Sequence, residues 1–550
     1  MDAVESSQPS ADAVARVVDA FMAEREPVYI VGGAVRDHLL GVSSIPGWTR
    51  AGLDGHTHGR ARASSACART PASTTDLDLV LKGPVLPMAR RVADRLGWAY
   101  YPLDEARDVA RLIGKGSDGR RIECDAAALR GDLQTDLLAR DFSANALALE
   151  LSADSPAQLI DVCGGIADIT SHTLRRISDE SLRDDPVRLL RAVRLAAQLG
   201  FTIENDTRGQ IADLAGTVLR VSAERLRQEL WKLLDCPRPD DGVWELNALG
   251  LLDQLLPEVS ALQGVTQSSR HHLDAYDHSL LTVRRAAELR DWLRGGAPLE
   301  DGDLRGSLEP WADPLRAHFG EEIASGRDRA GWLVWHALFH DTGKAGSLAA
   351  DSMDSEERQS YTGHQQLSAE IAGRRVAHLR FSRREVLLTE TVASMHSVPR
   401  NLVRSLPRDG NRIGPRMAYR LFRDAGSVTS GHQIEHRLQS SGAQQRLDGL
   451  DVTLQAISDL QATGRERGEE WGRFLRAVEG LFAFAFSRPA DLPAAPLVDG
   501  HALMRLLGLE PGPVLGSIVR ELAEAQAAGA VTTPDEAETL ARSLLERGVN

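Results

Sequence analysis

Short apolar runs bounded by glycine shape the first third of the chain, and apolar residues at helical spacing shape the rest. Val28, Tyr29, Ile30 and Val31 lead straight into Gly32-Gly33, which predicts a buried strand ending at a glycine turn. Between Thr74 and Leu81, Asp76 and Asp78 alternate with Leu77 and Leu79. At strand period both carboxylates share one face and the leucines pack the other. Arg121-Ile122-Glu123-Cys124-Asp125 predicts a further strand of the same sheet, with Glu123 and Asp125 on one face. From about residue 170 the pattern turns helical, through LRDDPVRLLRAVRLAAQLGF and VSAERLRQELWKLL. Residues 245–480 read as helical throughout, broken by polar loops at 294–308 and 427–446. Residues 42–74 are rich in Gly, Ser, Ala, Thr and Arg without a period, which predicts a long loop. The proline-rich stretch from Ser487 to Pro496 predicts a linker to a short helical tail. The fold class expected is α+β, a mixed or antiparallel sheet with helices followed by all-helical regions.

Composition narrows the class. A chain of 550 residues suggests roughly three to four domains, and 42% hydrophobic residues supply their cores. Mean hydropathy is -0.25, and no apolar run reaches the length of about 18 residues that a membrane span needs. The start, MDAVESSQPSADAV, lacks the basic and apolar regions of a signal peptide. Four cysteines without CxxC spacing fit free thiols in a reducing cytoplasm. A net charge of -14 counts mildly against a protein coated for nucleic-acid binding and leaves room for a local basic surface.

The chemistry follows from the acids. Two carboxylates side by side on a half-buried strand are costly unless a cation lies between them. Oxygen ligands on a rigid strand suit Mg²⁺, which takes one or two carboxylates plus substrate phosphates. A glycine turn lets backbone approach a phosphate closely. On the helix after residue 185, Arg188, Arg191 and Arg194 form a slanted basic stripe against Leu189, Leu190, Val193 and Leu195. Asp185 lies one turn from Arg188 and can orient its guanidinium fork. A solvated helix face with surface ion pairs is the other reading of Arg191 and Arg194.

Gly32-Gly33-x-x-Arg36-Asp37, Asp76-x-Asp78, Arg140-Asp141-Phe142 and Asp185-Pro186-Val187-Arg188-Leu189-Leu190-Arg191 together resemble the class II tRNA nucleotidyltransferase and bacterial poly(A) polymerase family, across about residues 27 to 260. The resemblance implies a polymerase-β-like head over 27–168 and a nucleotide-selecting helical neck over 169–245, after an N-terminal extension (1–26). It implies Mg²⁺ on Asp76 and Asp78, with nucleotide contacts from Gly32, Gly33, Arg36, Arg140, Asp141, Arg191 and Arg194. Asp185 and Arg188 would pair with the base edge of CTP or ATP. Asp125 would be a third catalytic carboxylate acting on the primer hydroxyl; a solvated edge-strand acid is its other reading. The implied partners are the 3′ end of tRNA or another RNA, CTP and ATP. Ala139 opens the arginine–aspartate motif here, Ser143-Ala144 follow it, and Asp184 precedes Asp185 where the family has Glu.

A second series runs through the middle: His278, His340-Asp341, His364, His396 and Asp459. It resembles the HD phosphohydrolase superfamily and implies a divalent metal (Mg²⁺, Mn²⁺ or a transition metal) in a domain over 246–486, before a tail over 487–550. The reading expected is a cytoplasmic, template-independent enzyme that builds or repairs the 3′-terminal CCA of tRNA, with an added phosphohydrolase-like domain. Poly(A) addition, or addition of only CC or only A, is the alternative. A phosphohydrolase with an RNA-binding head is the alternative from another class.

Overall fold

Strand β1 (Val28–Val31) is the axis of the first sheet and is buried along its whole length. It pairs antiparallel with β2 (Thr74–Leu81) on one side and with β6 (Leu147–Ser152) on the other. Adding β3 (Ala99–Asp104), β4 (Val109–Lys115), β5 (Arg121–Ala128) and β7 (Ser155–Asp161) gives seven strands in the order β3-β4-β5-β2-β1-β6-β7. Among these pairs only β2 and β5 run parallel, in a register that sets Asp76 beside Glu123 and Asp78 beside Asp125. Four acids thereby line one face of two neighbouring strands, while Leu77, Leu79, Ile122 and Cys124 are buried on the other.

This computed structural model describes residues 9–24, 27–42, 45, 74–116, 119, 121–152, 155–266, 273–347, 363–407, 413–428, 448–463, 468–486 and 496–547. Most of the expected loop over 42–74 and of the linker over 487–496 lies outside them, as does most of the loop over 427–446. The chain forms two compact units, Met1–Leu255 and Leu256–Asn550.

In the first unit the Val85–Leu96 helix buries Val85, Met88, Ala89, Val92 and Ala93 and stops at Gly97 in the left-handed region. The Pro9–Met22 helix packs on it, with Val14, Val17 and Phe21 buried. Glu24 just beyond takes ion pairs from Arg91 and Arg95. The stretch expected as an extension is therefore in part a piece of this unit's core. The helices expected as the neck lie in the same unit: the Val187–Leu199 helix buries Val187, Leu189, Leu190, Ala192, Val193, Leu195 and Leu199 and packs against the Ala223–Leu234 helix.

The second unit is helical apart from one small hairpin among the described residues. Its Arg329–Phe339 helix is buried along every residue, with Trp332, Trp335 and Phe339 fully enclosed. The Ala275–Leu293 and Asp448–Gln461 helices pack on it, and the His364–His378 and Arg383–Met395 helices pair with each other. The expected loop over 294–308 contains a helix, Gly302–Leu308. Asp301 caps it, and Leu304 and Leu308, one turn apart, are buried. Three tail helices (Gly500–Leu507, Pro513–Ala527, Pro534–Glu546) close a core around Leu503, Ile518 and Ala541. No helix of the described residues is long and apolar enough to cross a membrane.

Candidate active site and a histidine–aspartate centre

Gly32 ends β1 with φ +72°, a conformation that glycine alone adopts without strain. Its N–H donates to the carbonyl of Leu147 at 3.1 Å, which fixes the turn to β6. A Cβ at this position would lie 2.9 Å from Arg140 Nη1 and 3.5 Å from Asp78 Oδ2. The turn, Arg140 and Asp78 thus close on one point. Buried Arg36 supports the turn from behind: its guanidinium donates to Asn145 Oδ1 at 2.5 Å and to Asp37 at 2.8 Å.

Asp76 and Asp78 both reach solvent on the polar face of β2. Protein still surrounds them closely enough that burial raises both carboxyls, and Asp78 reaches about 6 even with Arg140 opposing. A cation would offset the cost of an anion pair held this way, and two hard oxygen ligands beside a glycine turn fit Mg²⁺. Asp125 is placed differently: Arg111, directly opposite on β4, donates to both its oxygens at 2.7 and 2.8 Å. It is held in an ion pair, although Arg111 also reaches Glu123 at 3.2 Å.

The neck residues expected to face the nucleotide all hold protein groups. Arg188 donates to the carbonyls of Ala139, Arg140 and Ser181 at 2.9, 3.2 and 2.9 Å, which fastens the neck helix to the segment carrying Arg140. Asp185 pairs with Arg225 at 2.6 Å. Buried Asp141 accepts from Phe142 N–H and Asn145 and pairs with Arg191 at 3.3 Å. Glu229 joins Arg191 and Arg194, at 3.1 and 2.6 Å.

In the second unit all six residues of the His/Asp series meet. Asp341 is the hub: His340 Nε2 lies 3.1 Å from it, His364 Nε2 3.4 Å, His396 Nε2 3.7 Å and His278 Nε2 3.9 Å. Asp459 meets His278 at 2.9 Å. His340 Nδ1 and His396 Nδ1 sit 2.8 Å from the carbonyls of Ala337 and Ala393, one turn back on their own helices. Donation there directs both Nε2 atoms at the hub. Two groups of three ligands, His278-His340-Asp341 and Asp341-His364-His396, could each hold an ion and share the carboxylate. Burial opposes charge on Asp341, yet His340 and Lys344 hold its carboxyl well below the usual range.

Residues 73–175 match the family described as the poly A polymerase head domain, and residues 200–262 match the probable RNA and SrmB-binding site of polymerase A. The A-adding tRNA nucleotidyltransferase of Deinococcus radiodurans is 30% identical over 524 residues, covering 94% of this chain and 95% of that protein. This chain belongs to the tRNA nucleotidyltransferase family. The CC-adding tRNA nucleotidyltransferase of Thermus thermophilus is 32% identical over 512 residues, covering 92% and 91%. A solved CCA-adding enzyme with ATP has the same fold, at 20% identity and a TM-score of 0.56, covering 98% of this chain and 97% of that one.

In this nucleotidyltransferase several residues that build the site have no motif of their own. Arg111 is set by strand register, and Arg225, Glu229 and Lys232 by their common face on the Ala223–Leu234 helix. Lys232 contributes positive potential at both Asp76 and Glu229. The spacing 225, 229, 232 was the available signal. Gly32→Ala tests the turn. Alanine at φ +72° and ψ -132°, a region open in practice to glycine, costs about 1–3 kcal/mol, and its methyl displaces Arg140, so kcat/KM for nucleotide should fall on the order of a hundredfold. Steady-state kinetics beside a thermal melt separate the two effects, and wild-type kinetics would clear the turn of a role.

Proposed function

We propose that this nucleotidyltransferase adds C and A to the 3′ end of tRNA from CTP and ATP, building or repairing CCA in the cytoplasm. The convergence of Gly32, Arg140 and Asp78 on one point carries the reading. Gly32 and Gly33 offer backbone to the triphosphate, while Arg36 and Arg140 fix the turn and its charge. The primer's 3′ oxygen attacks the α-phosphorus, its proton leaves to solvent, and the bond to pyrophosphate breaks. Asp76 and Asp78 would hold Mg²⁺, which supplies charge to the attacking and departing oxygens when bound. Asp125, paired to Arg111, keeps the carboxylate array in register and could reach the primer hydroxyl only if that pair opens. Asp141, through Arg191 and Glu229, sets the neck helix against the head.

We propose Asp185 and Arg188 as the base-reading pair. Arg188→Ala should then cost about 1.5–3 kcal/mol of discrimination, seen as added UTP or GTP incorporation in single-nucleotide extension. A lower melting temperature with selectivity intact would make Arg188 a brace between neck and head and no more. The overall reading is tested by supplying tRNA ending before CCA, and tRNA ending in CC, with each nucleotide alone and together, then sequencing the products. A long tail from ATP alone would sink it.

A partial enzyme is the second reading. The Deinococcus and Thermus relatives that align over nine-tenths of the chain are named A-adding and CC-adding, while a multifunctional CCA protein of Vibrio parahaemolyticus aligns with 48% of it. Extension of only one of the two tRNA substrates would select it. The Asp341 cluster supports a further activity, phosphate-ester hydrolysis in an HD domain. Its imidazole and carboxylate donors fit Mn²⁺ or a first-row transition metal, which would polarise a phosphoryl oxygen and supply hydroxide when bound.

A further inference from the structure

The polar face of the first sheet runs on past its carboxylates to the sheet's edge. Strand register carries it outward: Asp78 stands beside Asp125 on β5, Asp125 opposite Arg111 on β4, and Arg111 opposite Tyr101 on β3. Directly paired residues share a face, so these four side chains form one row across four strands. The next row holds Asp76, Glu123 and Ile113, and the one after it Lys115 and Arg121, both exposed. The Val85–Leu96 helix covers the opposite face, where Ala110, Leu112, Ile122 and Cys124 are buried. β3 ends the sheet, and Tyr101 on it is 49% exposed. Burial rewards an aromatic ring little at so open a position, and an exposed edge strand ordinarily carries charge instead.

The direction of transfer decides what passes over this face. Gly32 and Arg140 close on Asp78 from the β1 side, where the triphosphate would lie. In an in-line displacement the attacking oxygen stands opposite the departing pyrophosphate, so the primer comes in from the β5 side. Neighbouring strands lie about 4.8 Å apart, which puts Tyr101 roughly 10 Å beyond Asp125 and roughly 14 Å beyond Asp78. That is past the reacting nucleotide and level with the bases behind it. Arg111 holds Asp125 and Glu123 at 2.7 and 3.2 Å, and Arg121 pairs with Glu123 at 2.8 Å. With Lys115 beside them, three cations meet two acids on this face of β4 and β5. In a chain of net charge -14 this stretch is locally positive, as the backbone of a single strand requires.

We propose that Tyr101 is a stacking platform for the single-stranded 3′ end of the RNA primer, seating a base one or two nucleotides before the reacting end. The open face of β3, β4 and β5 is then the track on which the primer reaches Asp76 and Asp78. Every base has a π-face, so such a contact positions the strand without selecting its sequence. The inference rests on reading the head as one that extends tRNA.

The full-length protein is assayed on tRNA lacking CCA, with tRNA and CTP varied in turn. Tyr101→Ala should lower kcat/KM for tRNA about tenfold, the scale of one stacked base, mostly through KM, and leave KM for CTP unchanged. Tyr101→Phe should keep wild-type values. An acceptor with an abasic ribose one or two positions before its 3′ end should lose the same factor with the wild type and nothing further with Tyr101→Ala. Equal kinetics, or losses that multiply when the abasic acceptor meets Tyr101→Ala, overturn the proposal. So does a change confined to melting temperature, or to self-association in sedimentation, which would make β3 a contact between copies. If the wild type extends no tRNA, the CCA reading fails by itself, and fluorescence anisotropy of a labelled oligocytidylate in Mg²⁺ decides. Binding weakened by Tyr101→Ala and kept by Tyr101→Phe retains the platform, and equal binding or none overturns it.

Discussion

Asp78→Asn should reduce nucleotidyl transfer at least about a thousandfold, because it removes a carboxylate that the reaction's charge depends on and changes neither shape nor volume. Asp76→Asn should do the same, and hydrolysis at the Asp341 cluster should be untouched by either. Transfer that survives both changes would leave the head as an RNA-binding module beside a phosphohydrolase. Stability should move the other way. Burial raises the Asp78 carboxyl from an ordinary 3.8 to about 6. Its contribution to the metal-free fold is fully present below 3.8 and is lost as pH rises through 6. Asp78→Asn should therefore melt higher than wild type at pH 7 in chelator, with the gap closing towards pH 4 and on adding Mg²⁺. Calorimetry across pH checks this. At limiting Mg²⁺, wild-type transfer should fall as pH drops through about 6, and excess Mg²⁺ should move that limb to lower pH.

Asp341→Asn should cost the second unit the metal proposed at its centre and much of its stability. The carboxylate is 2% exposed, with Lys344 at 2.5 Å and four imidazoles within 3.9 Å. An amide cannot answer that charge, and breaking a buried ionic cluster on one side costs about 3–5 kcal/mol. Both candidate ligand triads lose their shared member. Metal analysis after desalting should find little bound ion, and calorimetry should show a lower transition for the second unit. Retained metal with an unchanged melt would mean that the histidines bind without the hub, and the proposed centre would fail.

What could be read from the residues in order was local. The alternation through Asp76-Leu77-Asp78-Leu79 is strand geometry written at period two, and β2 follows it. The six His/Asp residues were visible as a series because helix ends and their short gaps carry them. The Pro9–Met22 helix also left a signal, in Val14, Val17, Val18 and Phe21 at helical spacing, that its position at the chain's start obscured. Long-range pairing left none. Arg111 reaches Asp125 only through the antiparallel register of β4 and β5, and Glu229 reaches Arg191 and Arg194 only once two helices pack. Hence the stripe of arginines was legible and the carboxylate that gathers it was not.

The pairing of β1 has a consequence for how the protein is made. Gly32 emerges from the ribosome well before Leu147, whose carbonyl fixes its N–H, and β1 has no strand beside it before Thr74–Leu81 arrives. Contacts so distant along the chain form late and slowly. A nascent chain ending before residue 147 has both glycines and both aspartates of the head, yet nothing to hold the turn against them. Competence for nucleotide would thus come in one step, when β6 closes beside a strand made more than a hundred residues earlier.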